Sequence, residues 1–382
     1  MKKSLLLGNT MIENQFEKFY KNEESDIFRL LSDLVKTNSY SFNEKGVKEC
    51  LNIFSQKANF LSYKFLENNC LLLENSSNEK DYILLMGHID TVFPENSNFQ
   101  KISYEDGLIR GPGTYDMKGG LVVALYALKF LHTIDELNSL NIKFLINSDE
   151  EIGSLKSKSL IEKYAKGAKC AFVFEGAGEN GEVVVGRKGK IGLKAFSKGE
   201  AGHAAFIIEG KKSAILDIAH RIIDFENLND SKKKISCNVG KVSGGIGANT
   251  VPDYAEIMID IRYSCKEDGD FLGEKILDIA NKSYVEGVKF EIVKTSERPC
   301  MDENDNLEFF NKLKEKCSNY GINLKSEFRN GVSDANFISS CGVPVLDGFG
   351  PLGGNDHSDK EFIIKDSIKD RIFLTAVALK SL

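Results

Sequence analysis

A chain of 382 residues has room for two domains of ordinary size, or for one large domain carrying an insertion. Hydrophobic residues make up 42% and charged residues 28%, which suits a packed core. The net charge of −6, from 50 basic and 56 acidic side chains, argues against a nucleic-acid partner, which needs a clustered basic face.

The opening Leu5-Leu6-Leu7 run is too short for a secretory signal, and polar residues follow it at once. No later apolar run reaches the roughly 20 residues needed to cross a bilayer, so no membrane partner is expected and a cytoplasmic location is. Eight cysteines stand without a C-x-x-C pair, a pattern of reduced structural thiols. Any metal would therefore have oxygen and imidazole ligands.

From Met11 to Ala58 apolar residues recur at helical intervals, which predicts two surface helices. Strand-like stretches follow at Ser62 to Glu67 and Cys70 to Leu73, and Tyr82 to Met86 reads as a fully buried strand. That strand runs into Gly87-His88-Ile89-Asp90. Two positions apart in extended backbone, His88 and Asp90 face one side, so the first can bind a metal while the second orients its ring. Next, Gly111-Pro112-Gly113-Thr114-Tyr115-Asp116-Met117-Lys118-Gly119-Gly120 leads into a helical run from Leu121 to Leu131. Its glycines fit neither nucleotide-binding spacing. The loop instead aims Asp116 at a site, unless Asp116 is simply the helix N-cap.

The apolar strand Phe144 to Ile146 ends in Asp149-Glu150-Glu151 and a glycine turn. In isolation such a stretch reads as a solvated acidic turn, yet neighbouring glutamates can also divide metal binding and proton transfer between them. A helix from Ser157 to Ala165 leads to another buried strand, Cys170 to Phe174, which ends at Glu175. Buried strands that alternate with helices and each end in a potential ligand predict an α/β domain, with a mostly parallel mixed sheet flanked by helices and a site at its carboxyl edge.

From Lys188 the texture changes to β-α-β-β-α-β, ending with a strand at Val288 to Val293; this is the order of an inserted ferredoxin-like domain. The expected boundaries are 1–187 and 297–382 for the outer domain and 188–296 for the insertion. A helix from Asn306 to Tyr320, a helix and strand over Asn336 to Val345, a loop over Asp347 to Ser358 that holds His357, and a last helix from Ile368 complete the chain.

Element ends thus supply His88, Asp116, Glu150, Glu151, Glu175 and His357. Two divalent cations fit this inventory, each taking one histidine and one terminal carboxylate while Asp116 bridges both; zinc is the first choice, with cobalt or manganese as alternatives. One glutamate is then left over to act as a general base.

Gly-His-Ile-Asp-Thr-Val, Gly-Thr-Tyr-Asp-Met-Lys-Gly-Gly, Asp-Glu-Glu-Ile-Gly-Ser, Phe-Glu-Gly and the late Asp-His-Ser-Asp follow one another along nearly the whole chain. In this they resemble the co-catalytic zinc hydrolases that include glutamate carboxypeptidase, acetylornithine deacetylase, succinyl-diaminopimelate desuccinylase and aminoacylase. The resemblance implies that His88, Asp116 and Glu175 bind one metal and Asp116, Glu151 and His357 the other, with Asp90 orienting His88 and Glu150 as the base. Glu175, where an Asp could stand, leans toward the carboxypeptidase and desuccinylase side and away from the tripeptidases.

In the inserted domain, Gly199-Glu200-Ala201-Gly202-His203-Ala204 resembles the family turn whose histidine reaches the partner subunit's active site. This implies a homodimer formed through the insertion, which also serves as a lid. Asn249, Arg262 and Arg298 fall where the carboxypeptidases hold the substrate's carbonyl and terminal carboxylate, a task suited to the guanidinium fork. Arg187 and Lys188 are weaker candidates; His132 and His220 are structural, and Asp149 has no role at the metals. The implied reaction is hydrolysis of a small peptide or N-acyl amino acid whose leaving amine carries a carboxylate. The rivals are an acetylornithine- or succinyl-diaminopimelate-type deacylase and a non-catalytic metal-binding dimer.

Overall fold

The computed structural model describes residues 2–207 and 209–382. Two compact units emerge, one of residues 1–185, 303–329 and 333–382, the other of residues 186–302 with 330–332.

The first unit is built on a six-stranded mixed sheet in the order Ser62–Leu66, Cys70–Glu74, Ile142–Asn147, Tyr82–His88, Ala168–Val173, Val345–Leu346. The first two neighbouring pairs are antiparallel and the remaining three parallel. Tyr82–His88 is buried throughout, which explains its unbroken apolar run. Its alternate residues Ile83 and Leu85 share one core with Leu71, Leu73, Phe144 and Ile146, while Leu72, Leu84 and Leu145 are buried on the opposite face. The helix Lys118–Thr133 is apolar on nearly all sides and almost wholly buried, as expected for a helix inside a layered domain. The helix Lys2–Lys36 shows only a stripe, with Phe16, Tyr20, Ile27, Leu30, Leu31 and Leu34 turned into the same core.

Several elements depart from the sequence expectation. The strands Ser103–Glu105, Leu108–Arg110, Gly353–Gly354 and Phe362–Ile364 form a small antiparallel sheet, with Gly353–Gly354 inside the loop expected over 347–358, and Val183–Arg187 pairs with Ser326–Arg329. Segments of two to five residues are too short for a period to show in sequence. The helix Lys118–Thr133 is capped at Met117 without a side-chain hydrogen bond, so Asp116 is not its N-cap.

In the second unit a four-stranded antiparallel sheet runs Ser236–Gly244, Tyr254–Tyr263, Gly189–Lys198, Lys289–Arg298, with helices Ala214–Glu226 and Lys266–Asn281. The last strand extends five residues past the expected Val293 and carries Arg298 at its end. All eight cysteines are free.

Candidate active site

Parallel pairing brings three strand ends to one edge. His88 lies in register with Asn147 and Met86 with Val173, so His88, the Ser148–Glu151 turn and Glu175 leave the sheet side by side. Such carboxyl edges are where open α/β sheets hold ligands. Glycine permits the close approach of the fourth element: a Cβ on Gly120 would lie 1.8 Å from the Phe174 carbonyl oxygen, so only glycine lets the helix start against the strand that delivers Glu175. The peptide between Asp116 and Met117 is cis.

Asp116 lies between two imidazoles. One carboxylate oxygen is 2.9 Å from His88 Nε2 and the other 3.2 Å from His357 Nε2. Glu175 stands 3.7 Å from His88 Nε2, and Glu151 is 3.0 Å from His357 Nε2. Donor atoms of His88, Asp116 and Glu151 all lie within 4.8 Å of one another, as do those of Asp116, Asp356 and His357. Asp356, an exposed residue absent from the sequence-derived set, therefore sits at the same place as its neighbour.

The Asp90 carboxylate is fully buried and ties this cluster together. It lies 3.3 Å from His88 Nδ1 and accepts the backbone N–H groups of Glu150 and Glu151, each at 3.3 Å, and the Ser41 hydroxyl at 2.7 Å. His88 Nδ1 also lies 3.1 Å from the Asp90 carbonyl oxygen, so Asp90 contacts both the imidazole and the acidic turn. Asp149 acts within the turn: its carboxylate accepts the N–H groups of Lys156 and Ser157 and the Ser157 hydroxyl. Asn147 and Ser154 both donate to the buried Asp334. Sequence reading pairs Asp90 with His88 but misses these ties to the acidic turn and to Asp334, because single polar residues beyond an element end carry no period.

Electrostatics set the character of the cluster. Burial, followed by the charge of Asp116, raises Glu175 well above the usual carboxylate range and Glu151 to about 7. Burial pushes Asp116 upward too, but hydrogen bonds to His357 and His88 outweigh it and hold it low. Hydrogen bonds to Asp116 and Glu151 raise His357 to about 11; for His88, burial opposes and Asp116 and Asp90 prevail. Buried carboxylates crowded beyond the positive charge that the imidazoles provide form a donor set that favours a cation. Its nitrogen and oxygen atoms, without thiolate, suit zinc and its neighbours.

Of the other sequence-derived residues, His203, Asn249, Arg262 and Arg298 belong to the second unit. Gly202–His203 pairs with Thr250–Val251, and the Ala204 N–H donates to the Asn249 carbonyl at 2.9 Å, so His203 and Asn249 are neighbours. Arg262 and Arg298 both stand in register with Lys190, one on each side, which places three cations in one row of the sheet. The Arg262 Nε donates to Asp260 at 2.7 Å. Arg187 donates to the Gly331 carbonyl at 3.1 Å. His132 stacks on Phe60 and His220 on Tyr284.

A layered α/β sheet with a histidine and carboxylate cluster at its carboxyl edge defines the class of metal-dependent hydrolases. The chain belongs to peptidase family M20/M25/M40, whose profile matches residues 84–380. Carboxypeptidase G2 of Pseudomonas is 29% identical over 302 residues, covering 77% of this chain and 72% of that protein. A succinyl-diaminopimelate desuccinylase of Colwellia psychrerythraea is 24% identical over 388 residues, covering 92% of this chain and 94% of the relative. Among solved structures, the aminopeptidase PepT of Bacillus cereus matches with a TM-score of 0.76 at 22% identity, covering 93% of this chain and 97% of that one, a likeness of fold. No helix among the described residues is long and apolar enough to cross a membrane.

Proposed function

We propose that this hydrolase uses two divalent metal ions, with zinc the first choice, to cleave the amide bond of a small peptide or N-acyl amino acid whose leaving amine bears a free carboxylate. The observation that carries this reading is Asp116, which turns one oxygen to His88 and the other to His357. In the proposed assignment His88, Asp116 and Glu175 hold one ion and Asp116, Glu151 and His357 the other. Bound there, the pair would supply the positive charge that acidifies water and polarises a carbonyl.

The remaining chemistry falls to the chain. Asp90 keeps the His88 ring oriented through Nδ1. Glu150, whose backbone the same Asp90 carboxylate holds, takes the proton of the attacking water and returns it to the amine nitrogen as the C–N bond breaks. His203 and Asn249 would support the developing oxyanion, and Arg298 and Arg262 would bind the terminal carboxylate. The row formed with Lys190 favours that use, although Arg262 must share its guanidinium with Asp260.

Residues 188–296 are read as an inserted ferredoxin-like domain, a lid that also forms a homodimer. Exposed Ile215, Leu216 and Ile223 on the helix Ala214–Glu226, with Val242 on the outer strand Ser236–Gly244, suit a second copy of the chain as their cover. The carboxypeptidase G2 likeness favours a terminal amino acid as leaving group. The desuccinylase likeness keeps N-acyl amino acid deacylation as the second reading.

The test is a hydrolysis screen of dipeptides and acylated amino acids with the amine product identified, run beside Glu150→Gln. That variant is expected to lower kcat by about 10²–10⁴-fold with both ions still bound. Unchanged turnover would remove Glu150 from its role. An inactive wild type holding two ions would favour a non-catalytic metal-binding module.

A further inference from the structure

We infer that Glu361 is a positioning residue for the metal pair: its carboxylate fixes the Gly113–Asp116 turn so that the two oxygens of Asp116 divide between His88 and His357. The inference rests on the dinuclear reading above.

Glu361 is fully buried, and both of its carboxylate oxygens are engaged with a single turn. One accepts the backbone N–H of Tyr115 at 2.7 Å and that of Asp116 at 3.0 Å; the other accepts the N–H of Gly113 at 3.0 Å. The two carboxyl oxygens together accept three converging N–H groups, where an amide would turn its NH2 against one of them. Gly113 itself has φ +75°, which suits it to a turn whose N–H groups converge.

Glu361 also joins the two loops on which Asp116 and His357 stand. The strand Leu108–Arg110 runs directly into the Asp116 loop, and the strand Phe362–Ile364 begins directly after the His357 loop. Arg110 and Phe362 are partners in register, and the Arg110 guanidinium donates to the Lys360 carbonyl at 3.1 Å. The two loops therefore leave paired strands at the same rung, and Glu361 crosses from one to the other beside the Arg110 contact. Pinning the Asp116 N–H fixes its Cα and leaves the carboxylate only the side-chain torsions with which to meet two imidazoles on opposite sides.

The test titrates cobalt(II) into the full-length wild type and Glu361→Gln, after chelator treatment of both. Stoichiometry, affinity against a chromophoric competitor, the visible d–d absorption and the melting temperature without cobalt are all measured. Wild type is expected to take up two ions, and the variant to bind both about 10–100-fold more weakly, the usual cost of losing a group that orients a ligand, with altered absorption. A variant that melts earlier but matches wild type in affinity and spectrum assigns Glu361 to packing alone and overturns the inference. A wild type that takes up fewer than two ions overturns the dinuclear reading, and the inference with it. If Gln at this position prevents folding, Glu361→Asp keeps the two acceptor oxygens, withdraws them by one methylene and carries the same measurements, with a smaller loss of affinity expected.

Discussion

Asp116 is the residue on which the proposed chemistry converges, because its two carboxylate oxygens lie 2.9 Å and 3.2 Å from the two imidazoles. Asp116→Asn is expected to weaken both ions together, while Glu175→Gln weakens only the one beside His88. Elemental analysis of the two purified variants checks this, and equal metal content in both would contradict a bridging role. At this scale the residues with a functional position in sequence are those that end an apolar run: His88, Glu150, Glu151 and Glu175. Asp356 and Glu361 lie in a polar loop with no period, and only the folded loop shows one beside Asp116 and the other under it.

Between elements, packing is set by close approaches and by a few buried polar ties. Gly120→Ala places a Cβ 1.8 Å from a backbone oxygen that cannot swing aside, so the helix Lys118–Thr133 must shift away from the strand that delivers Glu175. Overpacking of this kind costs about 1–3 kcal/mol or more. Thermal unfolding should show the loss, with activity falling further than stability because two ligand-bearing elements move apart. A second tie is Asp26 on the helix Lys2–Lys36, which takes hydrogen bonds from Lys57 and Arg29 and, at 2.7 Å, from the Tyr126 hydroxyl, linking three helices. Burial pushes the Asp26 carboxyl up, but Lys57 and Tyr126 prevail and hold it at about 2. A depressed carboxylate lends stability above its unfolded value and loses it as pH falls through its folded one. The melting temperature of Asp26→Asn should therefore lie below that of wild type at pH 7, and the gap should close between about pH 4 and pH 2. A gap that stays constant across that range would contradict the assignment. The helices themselves are legible from their apolar stripes, whereas this link between them is not, because Asp26, Lys57 and Tyr126 are far apart in the chain.

For the whole molecule the proposed dimer makes a direct prediction. If a second copy covers Ile223 and Val242, Ile223→Asp should convert a dimer to a monomer in sedimentation equilibrium. It should also reduce turnover, because His203 is assigned to the partner's site; a fully active monomer would contradict both. The layered α/β plan, the change of texture near Lys188 and the family follow from sequence alone, because buried strands need unbroken apolar runs and the ligand-bearing loops keep their own short motifs. Tertiary structure alone decided what supports those motifs. Asp90, paired with His88 in the sequence reading, also holds the acidic turn; Glu361 holds the Asp116 loop from a position 245 residues away; and Asp149, given no role at the metals, braces its own turn. Hydrogen bonds are short and directional, so which distant polar groups meet is settled only when the strands and loops between them have packed.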